Sequence, residues 1–124
     1  MTKYLINMNV PLDTNHQNAN IKANILSESE MRDLGFTDFA KDKWYFCRRV
    51  GGENSDISFN ITIFKRTGNI RISVFDEMFL QPYDFQMYMG KNEIANRVYD
   101  DVQSYMKYFM DKGVISGYTL GDYI

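Results

Sequence analysis

A chain of 124 residues, of which 44% are hydrophobic and 24% charged, has the size and composition of a single globular domain, residues 1–124. A formal net charge of −2 leaves no general excess of positive charge with which to hold duplex DNA by its phosphates. The single cysteine excludes an internal disulfide. No apolar run has the length of a signal peptide or of a membrane span, so we expect a cytoplasmic protein that does not enter membranes.

The first predicted elements are two strands and a short helix. Apolar and polar residues alternate over residues 4–10, which is typical of a half-buried strand, and alternate more weakly over residues 21–25. Ser27 precedes Glu30 by three residues, the spacing of a capping box at the start of a helix. Gly35 suits the left-handed position that ends a helix, so we expect a short helix between these signals.

The middle of the chain predicts further strands. Residues 43–50 are rich in aromatic side chains and favour a strand. Strict alternation over residues 57–63 and again over residues 70–74, with a short glycine-containing loop between them, predicts a β-hairpin. A last alternating run over residues 83–89 predicts one more strand.

A long C-terminal helix completes the predicted fold. It extends from about Asn92 to Lys112, with a stripe of apolar residues at helical spacing, and Gly113 ends it. Strands that mostly follow one another, with one long helix at the end, predict an α+β fold. We expect a single antiparallel sheet of about five strands, one short helix, and the C-terminal helix packed on one face.

Catalytic, metal and cofactor sites are not indicated by the sequence. His16 is the one histidine, in a polar loop, and Cys47 lies in a predicted strand, so nothing brings the two together as nucleophile and base. The adjacent carboxylates Asp76–Glu77 and Asp100–Asp101 diverge in a strand or a helix, so neither pair forms a natural acid–base dyad. We therefore expect no cofactor and no metal, and an enzyme is the least favoured hypothesis.

A basic hairpin is the first candidate binding site. If the preceding strand pairs beside the hairpin, the cations of the strand and of the hairpin could form one basic edge interleaved with Tyr45 and Phe64. Single-stranded nucleic acids are commonly held by a surface of this kind. The alternative is that these cations serve solubility and edge protection. The candidate nucleic-acid-binding residues are Lys65, Arg66, Arg71, Arg48 and Arg49.

The C-terminal tail is the second candidate. Exposed termini are usually polar, but this one contains Tyr118 and ends in Tyr123 and Ile124. The three side chains either pack on the protein's own sheet or bind a partner, which could be a host protein or a second copy of the chain. A monomer and a homodimer both remain open.

The general character of the chain resembles small accessory proteins of phages and mobile elements, anti-CRISPR proteins among them: it is short, mildly acidic and rich in Asn, Met and Tyr. The resemblance is one of style and rests on no particular motif. It implies a small protein-binding module that inhibits a host defence protein by occluding a surface. The alternative function is single-strand nucleic-acid binding through the basic hairpin, and an unrecognised enzyme comes third.

Overall fold

The computed structural model describes residues 21–120, so the strand predicted over residues 4–10 lies outside the described range. Between those limits the chain forms short and long elements in the order β1 (Lys22–Ala23), α1 (Glu28–Asp33), β2 (Lys43–Val50), β3 (Ile57–Phe64), β4 (Ile70–Asp76), β5 (Gln81–Pro82), a 3₁₀ helix (Phe85–Met87), α2 (Glu93–Asp111) and β6 (Ile115–Ser116).

Within the described residues, the strands form two antiparallel sheets. Strands β2, β3, β4 and β5 are neighbours in one sheet of four strands, and β1 pairs with β6 in a separate sheet of two. In the larger sheet Trp44 lies opposite Ile63, which lies opposite Ile70 on the other side. The α+β class, the antiparallel pairing and the long C-terminal helix are confirmed, while the expected single sheet of about five strands is divided into four strands and two.

One face of the four-stranded sheet packs against α2. Alternation places Phe46, Phe59 and Ile72 on this face, each at most 2% exposed. From the helix, Tyr105 stacks on the ring of Phe59 with the ring centroids 5.7 Å apart. Burial of this apolar layer supplies the main driving force for folding, because apolar area removed from water is the dominant favourable contribution to the free energy.

The predicted helix ends are confirmed. The Ser27 side chain accepts from the backbone N–H of Glu30 while the Glu30 carboxylate accepts from the N–H of Ser27, which completes the capping box of α1. The Asn92 side chain caps the first turn of α2. At the other end, Gly113 has a φ of 82°, as the predicted helix end requires, and the N–H of Val114 donates to the carbonyl of Phe109 over 3.1 Å, which makes a Schellman ending.

The strand predicted over residues 83–89 is wrong. Strand β5 has two residues, and the N–H of Tyr83 makes a further bond to the carbonyl of Val74. The chain then turns into the 3₁₀ helix, where the N–H of Tyr88 bonds to the carbonyl of Phe85. Phe85 is fully buried and its ring lies 6.3 Å from that of Tyr99 on α2, so packing beneath the helix replaces further pairing in the sheet.

Candidate functional site

The face of the four-stranded sheet opposite α2, here called the outer face, carries polar, cationic and aromatic side chains. Its members alternate with the core residues along each strand and are set by the register. They are Lys43, Tyr45, Cys47 and Arg49 from β2, Ser58, Asn60, Thr62 and Phe64 from β3, and Arg71, Ser73 and Phe75 from β4.

A chain of hydrogen bonds runs across the outer face from β2 to the end of β4. The Tyr45 hydroxyl donates to Asn60 Oδ1 over 2.8 Å, and Asn60 Nδ2 donates to Ser58 Oγ over 2.9 Å. Ser58 Oγ in turn donates to Glu77 Oε2 over 2.5 Å. Each side chain in this series donates a hydrogen bond to the next, and the series ends at the Glu77 carboxylate, which can only accept. The carboxylate therefore sets the orientation of the side chains that precede it.

The electrostatic surroundings keep the Tyr45 phenol protonated. Burial, followed by the neighbouring Cys47 thiol and the Glu77 carboxylate, raises the pKa of Tyr45 above its ordinary value. The hydroxyl therefore stays a donor to Asn60 through the physiological pH range. Its ring is held in one orientation although 44% of the residue is exposed.

We expect Ser58→Ala to lower the free energy of unfolding by about 0.5–1.5 kcal/mol, because two hydrogen bonds across the outer face are lost while water can reach the half-buried Asn60 amide and the exposed Glu77 carboxylate. Urea denaturation measures the change. Ser73→Ala is the matched control, since Ser73 lies on the same face and bonds through its side chain to no other described residue; a change within about 0.5 kcal/mol is expected there. Equal losses in both variants would contradict the role of the hydrogen-bond chain.

The five predicted nucleic-acid-binding cations are divided between the two faces of the sheet. Arg49 and Arg71 lie on the outer face, and Arg66 lies exposed in the turn between β3 and β4. Arg48 lies on the side of the sheet that faces α2, with its guanidinium 4.6 Å from the centroid of the Phe46 ring. The expected pairing of β2 with the hairpin is confirmed, but it does not bring Arg48 and Arg49 to one surface, because neighbours in a strand point to opposite faces.

Lys65 is also turned away from the outer face. Its Nζ lies 3.1 Å from Asp38 Oδ2 and 4.5 Å from the centroid of the Trp44 ring. The same carboxylate pairs with Arg32 over 2.9 Å, and that guanidinium lies 5.3 Å from the Trp44 ring. The Lys65 hydrogen bond, and then the charge of Arg32, lower the pKa of Asp38, so this cluster stays charged and serves to cover the tryptophan.

Lys43 is an outer-face cation that the sequence reasoning missed. It lies directly opposite Phe64 in the register, with its Nζ 5.5 Å from the centroid of that ring. Arg71 lies 5.9 Å from the same ring, so Phe64 has a cation on each flanking strand. The signal available in the sequence was the position of Lys43 two residues before Tyr45, which places both on one face.

The turn between β4 and β5, here called the apolar turn, exposes three consecutive large apolar side chains. Met78 is 65% exposed, Phe79 69% and Leu80 74%. Asp76 Oδ1 accepts from the backbone N–H of Met78 over 3.0 Å and of Phe79 over 3.1 Å, which fixes the start of the turn. Leu80 has a φ of 54°, an uncommon conformation for a residue with a branched side chain. Sequence reasoning missed this turn, whose signal was the run of three apolar residues outside any periodic pattern.

A shallow cavity of about 230 Å³ adjoins the apolar turn. Met78 and Phe79 line it together with Ile94 at the start of α2, and two carboxylates, Asp56 and Asp76, lie at its wall. The apolar turn therefore sits at the acidic end of the sheet, while Lys43, Arg66 and Arg71 lie towards the other end.

Of the three predicted tail residues, the structure describes Tyr118 alone. Tyr118 is 9% exposed within the protein's own core, and its hydroxyl accepts from Gln103 Nε2 over 2.7 Å. Its side chain is therefore not part of an exposed surface. Tyr123 and Ile124 lie outside the described residues, and whether they bind a partner stays a prediction.

Among residues 21–120, the groups with catalytic potential do not come together, and His16 lies outside the described residues. Cys47 is half-buried on the outer face, and the carboxylate of Asp101 accepts from the backbone N–H of Gly51 over 2.8 Å, which gives it a structural role. Among residues 21–120, no cluster of three or more potential ligands could hold a metal ion. In the same range, no helix combines the length and the apolar character that crossing a membrane requires.

The comparison with known proteins concerns the fold. No family model and no curated protein matches the chain. Among solved structures, the fold is similar to that of a DUF1831 family protein from Lactobacillus plantarum, with a TM-score of 0.63 over 77% of this chain and 82% of that one. The two sequences are 9% identical, so the likeness concerns the α+β fold alone.

Proposed function

We propose that this protein is a protein-binding module that docks through the apolar turn. The observation that carries the proposal is the exposure of Met78, Phe79 and Leu80 together. Proteins rarely leave a run of large apolar side chains in water unless it contacts something else. Methionine and aromatic residues are also the types that protein interfaces favour.

The backbone of the turn supports the same proposal. A leucine at a φ of 54° costs on the order of 1 kcal/mol relative to an extended or helical conformation, and glycine would avoid that cost. A strained backbone that holds a branched apolar side chain in water is typical of a site kept for contact with a partner. Since Asp76 accepts from the backbone N–H groups of Met78 and Phe79, the backbone of the turn loses little conformational entropy on binding.

Occlusion of a partner's surface is the mode of action that fits this protruding turn, and the carboxylates Asp56 and Asp76 beside it favour a partner whose apolar pocket has a basic rim. The partner is a host protein or a second copy of the chain. A phage or mobile-element origin, with a defence protein as the target, rests on the character of the sequence alone.

The test is quantitative capture with two matched double variants of the tagged full-length chain. Met78→Ser with Phe79→Ser removes two apolar side chains from the turn, and we expect the affinity for the captured protein to fall by about 30-fold or more, as for the loss of an interface hot spot. Phe39→Ser with Leu120→Ser removes two exposed apolar side chains elsewhere, at residues 94% and 50% exposed, and should bind as the unmodified protein does.

Light scattering over a range of concentrations addresses the second copy as partner. If the protein itself is the partner, the unmodified chain and the Phe39→Ser/Leu120→Ser control dimerise, while the Met78→Ser/Phe79→Ser variant stays monomeric. Capture and self-association that are both unchanged in the turn variant would contradict the proposal.

A further inference from the structure

The outer face combines cations with aromatic rings at one end of the sheet. Lys43 lies opposite Phe64, and Tyr45 lies opposite Thr62, which lies opposite Arg71. The register thus places two cations and two rings on neighbouring positions of three adjacent strands, on the face that α2 does not cover. None of them belongs to the apolar turn, which is at the other end of β4.

The charge at this end of the sheet is positive although the whole chain is acidic. The segments 38–43 and 64–71 contain five cations and two carboxylates. One of the carboxylates, Asp38, is already paired with Arg32 and Lys65. Within residues 21–120, Lys43, Arg49 and Arg71 form no ion pair, whereas Arg97 and Lys107 on α2 are each paired with a carboxylate one turn away.

We propose that the outer face binds single-stranded RNA. Unpaired cations spaced along a sheet attract the phosphates of a single strand, and aromatic side chains on the same sheet stack its bases. A four-stranded sheet with rings on its uncovered face holds about two or three bases in this way. The hydroxyl of Thr62, between Tyr45 and Arg71 in the register, supplies a group that can bond to the ribose 2′-hydroxyl, which favours RNA over DNA.

The position of each side chain on the outer face assigns its role in binding RNA. Tyr45 is the stacking residue, because its ring is partly exposed and its hydroxyl is anchored on Asn60. Lys43 and Arg71 bind the phosphates on either side of Phe64. Arg49, two outer-face positions after Tyr45 on β2, extends the line of positive charge towards the other end of the strand.

The test is fluorescence anisotropy of a labelled short oligouridine with the full-length protein at low and at physiological salt. We expect Lys43→Gln with Arg71→Gln to weaken binding about tenfold or more, and to reduce the slope of log affinity against log salt concentration by about 1.4, or about 0.7 for each lost phosphate contact. Tyr45→Leu should weaken binding about fivefold or more through the lost stacking. Far-ultraviolet circular dichroism confirms that each variant is folded.

The matched control is Arg97→Gln with Lys107→Gln, which removes the same charge from α2, on the other side of the sheet. Unchanged affinity in this control, together with the expected losses, supports the proposal. No binding at low salt, or an equal loss in the control, overturns it. Equal affinity for the oligodeoxythymidine of the same length overturns the assignment to RNA. If the protein binds no RNA, and the Lys43→Gln/Arg71→Gln variant no longer captures a protein that the unmodified chain captures, the outer face binds protein instead.

Discussion

Replacing Phe46 by alanine is expected to lower the free energy of unfolding by about 3–5 kcal/mol. Phe46 is 2% exposed and lies at the centre of an aromatic cluster. Its ring centroid is 4.9 Å from that of Phe109 and 5.4 Å from that of Tyr105, both on α2. It is also 5.4 Å from Phe36 and 6.4 Å from Phe59, so one side chain joins the long helix, the segment after α1 and two strands.

The size of the effect follows from the cavity that alanine would leave, since four surrounding rings cannot collapse into it together. A domain of this size is stable by about 5–15 kcal/mol, so the variant would lose a large part of its stability. Urea denaturation measures the loss. Phe46→Leu keeps most of the volume and should cost less than the alanine variant, and Phe39→Ala, at a residue 94% exposed, should change the free energy of unfolding by no more than about 0.5 kcal/mol. A similar loss in the Phe46 and Phe39 alanine variants would refute the packing argument.

Local signals in the sequence predicted the elements that depend on local physics. The hairpin of β3 and β4 was predictable because strict alternation and a short loop leave one register that buries all the apolar residues on one face. The ends of α1 and α2 were predictable because Ser27, Asn92 and Gly113 satisfy backbone groups within a few residues of themselves.

Pairing between distant segments was not predictable in the same way. Strand β1 bonds to β6, which is more than ninety positions later in the chain, and two residues per strand leave too short a pattern to recognise. The alternation over residues 83–89 was misleading because Phe85 packs under α2, and local 3₁₀ bonds then satisfy the backbone in place of a neighbouring strand.

The candidate surfaces, too, were predictable where they depend on local pattern and unpredictable where they depend on contacts between distant segments. That Arg49 and Arg71 share a face follows from alternation and register, and the separation of Arg48 from Arg49 could have been inferred from alternation alone. The hydrogen-bond chain that ends at Glu77 could not, because Ser58 and Glu77 are brought together by the register of β3 with β4. The exposure of Phe79 depends on which residues the rest of the fold leaves uncovered.

Gly51 joins the turn after β2 to the middle of α2. Its N–H donates to Asp101 Oδ2 over 2.8 Å, and its φ of 93° lies in the region that favours glycine. A Cβ at this position would lie 2.8 Å from Ser55 Oγ and 2.9 Å from Val98 Cγ2. Since the backbone is tied to Asp101 and Val98 is fully buried, the clash cannot be relieved by a small movement of either side.

We therefore expect Gly51→Ala to lower the free energy of unfolding by about 2–5 kcal/mol, from roughly 1–3 kcal/mol of backbone strain and a similar amount from overpacking. Gly68→Ala separates the two causes, because Gly68 has a φ of 74° but a Cβ there would meet no atom within 4 Å. That control should lose about 1 kcal/mol, from backbone strain alone. Denaturation midpoints and slopes of both variants give the comparison. If the two glycines respond equally, the close approach of the turn to α2 contributes nothing, and backbone conformation alone accounts for the requirement for glycine at position 51.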